Sequence, residues 1–389
     1  MRIVDARVRT TPVGSPIRSG AISFSEMTTS VLALVTDQRR DGGPLVGFGF
    51  CPNGRYAPTG LLADRLLPRL LATAPADLLA DDGENLEPRR VRAALMRNEK
   101  PGGHGDRSMA IGAIDMAVWD IVAKRLDLPL HRLLARRHGD GRPAASVPVY
   151  AAGGYYRPEG GERALQDEMR RYLDMGFTSV KMKIGGAPLT DDLRRVEAVI
   201  QVVGDPSAVA VDSNGGLDRE RALAYAARLA PYGLRWWEEP CDPLDLELHT
   251  EIASRYPHPL ATGENLFALV EVRNLLRHGG LRPALDLLQV DPPLAYGLVE
   301  YVDIVACAEA AGWSRRSFIP HGGHHVGLAA AGGLRLGGME AYPEAHGPFG
   351  RLADRLRVEN GSLRLPDVPG VGFEEVAGLR DHLHDLLAS

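Results

Sequence analysis

Hydrophobic and polar residues alternate along the first 50 residues, and such alternation predicts β-strands. Residues 2–8, 29–36 and 45–50 alternate most clearly, and turn-rich segments separate them. We therefore predict a three-stranded antiparallel meander. The connection across residues 17–27 is long, and long loops in compact domains are usually functional.

From about residue 60 to residue 136 the pattern becomes helical. Residues 109–120 are apolar around most of the predicted helix, which indicates a buried helix. Its two carboxylates, Asp115 and Asp120, are predicted to accept hydrogen bonds within the core.

From about residue 145, short apolar strands alternate with amphipathic helices such as residues 191–203 and 219–229. The predicted strands are residues 147–150, 179–183, 208–212, 234–238, 260–263, 286–291, 317–321 and 338–341. Eight repeated βα units predict a closed parallel barrel. We expect an α/β fold with an α+β domain at 1–140, a barrel at 141–352, and a segment at 353–389 that returns to the first domain. That segment contains a turn at Glu359, Asn360 and Gly361 and a final helix.

Composition fits a globular protein with 44% hydrophobic and 24% charged residues. No apolar run approaches the length of a transmembrane helix, and the N-terminus lacks a signal-peptide core, so we expect no membrane partner. The cysteines Cys51, Cys241 and Cys307 form neither a disulfide framework nor a CxxC pair, which fits a cytoplasmic location. A net charge of −5 without a basic tail argues against a nucleic-acid partner.

Lysine is scarce in this chain, which has 45 lysines and arginines but only Lys100, Lys124, Lys181 and Lys183 as lysines. Two of these, Lys181 and Lys183, lie on one face of a single predicted strand. An amine can lose its proton near neutral pH when its neighbours lower its pKa, whereas arginine cannot. We therefore interpret this pair as functional rather than as a solvated strand face.

A charged residue stands at or just after the end of seven predicted barrel strands. These residues are Lys183, Asp212, Glu238, Glu264, Asp291, His321 and Glu340. The carboxyl ends of barrel strands meet at one mouth, where barrel enzymes hold their active sites. The regular spacing favours an active site over a ring of solvated charged residues without a function.

Three of these carboxylates, Asp212, Glu238 and Glu264, come from adjacent strands and would repel one another without a cation. Ligation by oxygen alone favours Mg²⁺ over zinc. Lys183 is then the candidate base for the α-proton of a metal-bound carboxylate substrate. We expect Lys181 and the metal to lower the pKa of Lys183 toward neutrality.

Asp291 and His321 end consecutive strands, so the carboxylate is predicted to orient the imidazole. A protonated His321 could donate to a leaving hydroxyl, whereas a neutral His321 could act as a second base. We interpret His325 as structural and His324 as a possible substrate contact.

These residues resemble the enolase superfamily, mandelate racemase group. The motifs are the Lys181–Lys183 strand, Asp212-Ser213-Asn214, Glu238-Glu239-Pro240, Gly263-Glu264-Asn265 and the Asp291/His321 pair. The resemblance implies an enolase-like fold, a modified (β/α)7β barrel with an α+β capping domain formed by both termini. It further implies Mg²⁺ held by Asp212, Glu238 and Glu264, Lys183 as the base, and Asp291–His321 as a dyad.

Within that group, residues 52–56, 98–105, 150–156 and 320–324 resemble the D-tartrate dehydratases. This implies dehydration of D-tartrate to oxaloacetate, with Lys100 holding the distal part of the substrate. The substrate contacts expected on this basis are Asn53, Arg55, Tyr56, Lys100, Asn214, His324 and Glu340. Another hydroxy diacid or sugar acid remains open as the substrate.

Two other functions stay open from the sequence. An acid-sugar racemase or epimerase would use Lys183 and His321 as opposing bases, and a binding protein would keep the barrel without turnover. The expected partners are a small carboxylate substrate and further copies of the same chain, from a dimer to an octamer.

Overall fold

The N-terminal part of the chain forms the predicted antiparallel meander. The computed structural model describes residues 1–52, 54–157 and 159–388. Its first sheet has the order β1-β2-β3, with β1 at Ile3–Pro12, β2 at Thr28–Arg40 and β3 at Gly43–Phe50. Residues 31–34 of β2 are fully buried, so both faces of the sheet are covered along this strand.

Five α-helices follow this sheet in the described part of the chain and lead to the barrel. They are α1 (Thr59–Leu61), α2 (Leu67–Leu71), α3 (Pro88–Leu95), α4 (Asp106–Arg125) and α5 (Leu130–His138). Helix α4 packs so closely on β3 that a Cβ atom at Gly49 would lie 2.0 Å from the carbonyl oxygen of Ala113. Within the described residues, neither α4 nor any other helix is long and apolar enough to span a membrane.

The two carboxylates of α4 have the structural role predicted for them. Asp115 accepts a hydrogen bond from the backbone nitrogen of Leu298 at 2.6 Å, which joins α4 to the barrel. Asp120 accepts from the backbone nitrogens of Phe48 and Val371 at 3.1 and 2.9 Å. These bonds tie the N-terminal sheet, α4 and the C-terminal segment together.

The central part of the chain is a parallel barrel in which helices alternate with strands. Its elements are β4 (Ser146–Gly153), α6 (Gly161–Asp174), β5 (Val180–Lys183), α7 (Leu189–Val203), β6 (Val209–Asp212), α8 (Arg219–Leu229), β7 (Trp237–Glu238), α9 (Leu246–Arg255), β8 (Leu260–Thr262), α10 (Leu269–His278), β9 (Leu287–Leu288), α11 (Leu298–Ala310), α12 (His325–Gly333) and β10 (Met339–Ala341). Strands β4 to β9 pair in chain order, and β10 returns to pair with β4.

The predicted seventh strand, residues 317–321, is wrong as a full strand. The chain there makes a 3-10 turn at Arg315–Ser317 and then a single parallel bridge between Leu288 and Phe318. The barrel nevertheless closes, because Ile319 donates a backbone hydrogen bond to Leu288 and Gly337 donates one to Phe318. Residues 318–320 therefore take the seventh position between β9 and β10.

The C-terminal segment contacts both parts of the fold. Strands β11 (Val358–Glu359) and β12 (Ser362–Arg364) form a hairpin whose second strand pairs with β4. Its two turn residues, Asn360 and Gly361, both have a positive φ, as this tight hairpin turn requires. The final helix, α13 (Ala377–Ala388), lies against the N-terminal sheet.

Candidate active site

A pocket of about 280 Å³ lies at the mouth formed by the carboxyl ends of the barrel strands. The barrel supplies most of its wall, and the N-terminal domain supplies residues 21, 22, 24, 54 and 55. The described residues that line it are Ala21, Ile22, Phe24, Gly54, Arg55, Tyr155, Lys183, Asn214, Glu264, Asn265, His321, Gly322, Tyr342 and His346. The long connection across residues 17–27 thus forms part of the pocket.

The three predicted metal ligands meet at the base of this pocket. One carboxylate oxygen from each of Asp212, Glu238 and Glu264 lies within 4.8 Å of the other two, and all three residues are buried. Asp212 and Glu238 lie side by side because β6 and β7 pair in register at these positions. Adjacent parallel strands therefore set the spacing of the cluster.

This arrangement fits a divalent cation with a preference for oxygen ligands. The Oε2 atom of Glu264 is buried and accepts no hydrogen bond from the described residues. Burial and the carboxylates around it raise the pKa of Glu238 to about 8, although Lys181 opposes this shift. A cation bound between the carboxylates would relieve that repulsion, and three carboxylate oxygens suit Mg²⁺.

We expect Mg²⁺ to stabilise the folded protein, by about 2.7 kcal/mol at 100 times its Kd. Glu264→Gln should weaken Mg²⁺ binding by at least about 10–100-fold. That is the loss expected when a residue that only hydrogen-bonds to a metal ligand is removed, and a ligand itself should matter no less. Thermal unfolding with and without Mg²⁺ measures both effects.

The matched control is Glu251→Gln on the outer helix α9, where Glu251 pairs with Arg219. It should keep the full Mg²⁺-dependent rise in Tm. An equal rise in Tm for Glu264→Gln would contradict the ligand assignment.

The two lysines of β5 have different surroundings. Lys181 is 1% exposed and lies beneath the pocket, with its amine 2.6 Å from Glu340 and in contact with Glu238. Lys183 reaches the pocket itself, where its amine contacts Asp212 and lies 5.2 Å from the centre of the Tyr155 ring. Lys183 is therefore the amine that can touch a substrate.

The expected lowering of the Lys183 pKa does not occur in the protein without a cation. Burial and Lys181 do lower the pKa of Lys183, but the charge of Asp212 outweighs them and raises it above its ordinary value. The strand pattern predicts the neighbouring amine of Lys181 but not the direct contact between Lys183 and Asp212. A cation on Asp212 would oppose this effect by attracting the carboxylate charge.

His321 and Asp291 form the predicted pair. The Nδ1 atom of His321 lies 3.0 Å from Oδ2 of Asp291, and both residues are buried. Burial lowers the pKa of His321, but Glu264, Glu340 and Asp291 together raise it to about 10. The protonated form is therefore favoured at neutral pH, which suits a proton donor.

Of the predicted substrate contacts, the structure brings Arg55 and Asn214 to the pocket. Arg55 is held there by a hydrogen bond to the side-chain oxygen of Asn265. Asn214 donates its backbone N–H to Asp212 at 2.8 Å. Asn53 lies outside the described residues.

Four other predicted contacts do not line the pocket. Lys100 and Tyr56 are exposed, and Tyr56 keeps 59% of its surface accessible. His324 caps α12 by accepting a hydrogen bond from the backbone of Gly327, and its Nε2 atom lies 3.4 Å from Oδ1 of Asp291. Glu340 is fully buried, with one oxygen 2.6 Å from the Lys181 amine.

His325 has the structural role predicted for it. Its Nε2 atom accepts from the backbone nitrogen of Ala353 at 3.0 Å, and its Nδ1 atom lies 3.2 Å from the carbonyl oxygen of Val371. It therefore links α12 to the C-terminal part of the chain.

Sequence reasoning missed an aromatic wall on one side of the pocket. The Tyr155 hydroxyl lies 2.8 Å from Nε2 of His346, and the His346 ring contacts the rings of Tyr342 and Phe24 at 4.7 and 5.0 Å between centroids. His346 and Tyr342 follow the last barrel strand without regular spacing. The one sequence feature that could have indicated a pocket position was their place in a Pro- and Gly-containing loop that follows the last barrel strand.

Two family descriptions match this chain over its two main parts. Residues 5–135 match the mandelate racemase / muconate lactonizing enzyme N-terminal domain, and residues 164–376 match the enolase C-terminal domain-like family. The chain belongs to the enolase superfamily, in the mandelate racemase / muconate lactonizing enzyme family. Its fold is the expected capping domain and barrel.

Similar proteins include acid-sugar dehydratases, cycloisomerases and a racemase. The chain is 30% identical to arabinonate dehydratase of Saccharolobus solfataricus, over 70% of this chain and 71% of that protein. It is 31% identical to 3,6-anhydro-alpha-L-galactonate cycloisomerase of Streptomyces coelicolor, over 92% of each. The structure of L-talarate/galactarate dehydratase from Salmonella typhimurium, liganded with Mg and L-lyxarohydroxamate, matches with a TM-score of 0.78 and 25% identity, over 97% of this chain and 90% of that one.

Proposed function

We propose that this chain is an Mg²⁺-dependent dehydratase of a small hydroxy acid, with D-tartrate as the leading substrate and oxaloacetate as the product. The observation that carries the proposal is the placement of Lys183 and the His321–Asp291 pair on one pocket beside three clustered carboxylates. Dehydratases among the relatives support the same reaction class.

The residues divide the reaction between them. Asp212, Glu238 and Glu264 would hold Mg²⁺, which would supply positive charge to the carboxylate end of the substrate. Lys183 removes the α-proton, and Asp212 holds its amine in the pocket. His321 protonates the β-hydroxyl as the C–O bond breaks, so that water leaves. The enol that remains takes up a proton at carbon and becomes the keto acid.

A small diacid suits the size and charge of the pocket. Its volume of about 280 Å³ is at the small end for ligand pockets, which commonly span about 300–1,000 Å³. Arg55 adds a guanidinium to the wall, and a guanidinium can bind a carboxylate through two parallel hydrogen bonds. We propose Arg55, in place of the exposed Lys100, as the contact for the second carboxylate.

A racemase or epimerase is the second candidate, because Lys183 and His321 both line the pocket and each could exchange a proton with the α-carbon. Keto acid release separates the two candidates, because a racemase or epimerase exchanges the α-proton without forming a keto acid.

A substrate panel tests the proposal. Purified protein with Mg²⁺ is assayed for keto acid release from D-, L- and meso-tartrate and from longer mono- and diacid sugars. We expect D-tartrate to give oxaloacetate, with its stereoisomers as matched controls. Keto acid from longer acids alone would reject the substrate but keep the reaction. No keto acid from any compound would reject dehydration.

A further inference from the structure

We propose that Tyr342 is a positioning residue that holds the Nε2 proton of His321 in place for transfer to the leaving hydroxyl. The inference rests on the proposed dehydration and adds to it a residue outside the base, acid and metal ligands. The supporting observation is the pair of hydrogen bonds made by the Tyr342 hydroxyl.

Tyr342 stands directly after β10 and forms part of the pocket wall. Its side chain is buried, with 6% of its surface exposed. Its hydroxyl lies 2.8 Å from Oε2 of Glu340 and 3.2 Å from Nε2 of His321. One oxygen atom thus bridges a buried carboxylate and the nitrogen that faces the pocket.

The directions of these hydrogen bonds follow from the partners. An ionised carboxylate can only accept, so the Tyr342 O–H donates to Glu340. The hydroxyl oxygen then presents a lone pair to His321, and Nε2 must supply the hydrogen. On the other side of the ring, Nδ1 of His321 faces Asp291 at 3.0 Å. Both ring nitrogens are therefore held as donors.

Two carboxylates also lie near Nε2 of His321, but neither is its hydrogen-bond acceptor in the described structure. Oxygens of Glu264 and Glu340 lie 3.3 and 3.6 Å from Nε2. The Oε2 atom of Glu264 nevertheless has no hydrogen-bond partner, and it belongs to the predicted metal ligands. The tyrosine hydroxyl is thus the neutral acceptor for Nε2, and it does not compete strongly for the proton.

The ring of Tyr342 is itself fixed. His346 packs edge-to-face against it at 4.7 Å between centroids, and His346 is bonded to the Tyr155 hydroxyl at 2.8 Å. Because packing holds the ring, the hydroxyl cannot move far from His321. Removing only the hydroxyl should then affect proton delivery and leave the pocket wall intact.

Tyr342 would act in the elimination of the hydroxyl group and not in the abstraction of the α-proton. Lys183 takes the α-proton, and the electron pair of that C–H bond forms the carbon–carbon double bond. The C–O bond breaks with its electron pair on the hydroxyl oxygen, which receives the Nε2 proton and leaves as water. In the described structure the hydrogen bonds of the Tyr342 hydroxyl go to the proton donor and to Glu340, not to Lys183, so its loss should slow elimination and spare proton abstraction.

Tyr342→Phe tests this inference through two rates measured on the Mg²⁺-loaded enzyme in D2O. One is keto acid formation, and the other is deuterium entry at the α-carbon of recovered substrate. We expect keto acid formation to fall about 10- to 100-fold, as for loss of a hydrogen bond to a charged group. Deuterium entry and KM should stay within about threefold of wild type.

The matched control is Tyr172→Phe, which removes another buried hydroxyl that donates to a carboxylate, Glu168, at 2.6 Å but lies outside the pocket. It should leave the ratio of the two rates unchanged. Equal falls in both rates for Tyr342→Phe, or no change in either, would overturn the inference while the proposed function stands. A wild-type enzyme that forms no keto acid would overturn both.

Discussion

Replacing Lys183 by alanine should lower kcat for dehydration by about 10³-fold or more, since general base catalysis contributes about 10²–10⁴-fold. Lys183 is the lysine that lines the pocket, and its amine contacts Asp212 beside the metal cluster. Without it, the described residues offer no second amine at that point of the wall. Deuterium entry at the α-carbon should be lost together with keto acid formation.

Lys183→Arg is the matched variant, because it keeps a positive charge beside Asp212 but cannot give up its proton near neutral pH. It should be about as inactive as Lys183→Ala. Both variants should still show the Mg²⁺-dependent rise in Tm, which reports an intact fold and metal site. Near-normal turnover by either variant would reject Lys183 as the base.

His321→Asn should lower kcat for dehydration by about 10²–10⁴-fold while deuterium still enters the recovered substrate. An asparagine amide can keep the hydrogen bond to Asp291 but has no proton to transfer at the position of Nε2. Lys183 would then form the enediolate and return a solvent deuteron to it. NMR of the recovered substrate and an assay for keto acid separate the two steps.

The comparison with Lys183→Ala makes this second result specific. Loss of deuterium entry in both variants would mean that His321 takes part in proton abstraction, as in a racemase. Normal dehydration by His321→Asn would remove His321 from the mechanism. The assigned roles require that deuterium enters the substrate with His321→Asn but not with Lys183→Ala.

The barrel and its metal cluster could be predicted because both depend on regular spacing. Each βα unit returns the chain to the same mouth, so charged strand ends at Asp212, Glu238 and Glu264 had to lie on adjacent strands. The seventh strand failed this test only in part. Its backbone forms a bridge at Phe318 and further single hydrogen bonds in place of a full strand, yet His321 still reaches the pocket.

The pocket wall depends on loop paths, which spacing does not determine. Lys100 was expected in the pocket on the resemblance to the D-tartrate dehydratases, but its loop leaves it exposed. Tyr342 and His346 reach the pocket through the path of the chain after β10. The pKa of Lys183 is raised because its amine directly contacts Asp212. The strand pattern predicts that the two residues are neighbours, but it does not predict this contact.

Proton NMR of the wild-type reaction in D2O with Mg²⁺ tests the central claim most directly. We predict that the α-proton signal of D-tartrate disappears as the dehydrated keto acid forms, and that EDTA abolishes both changes. Deuterium entering substrate of inverted configuration, with no keto acid, would contradict dehydration and make the chain a racemase or epimerase.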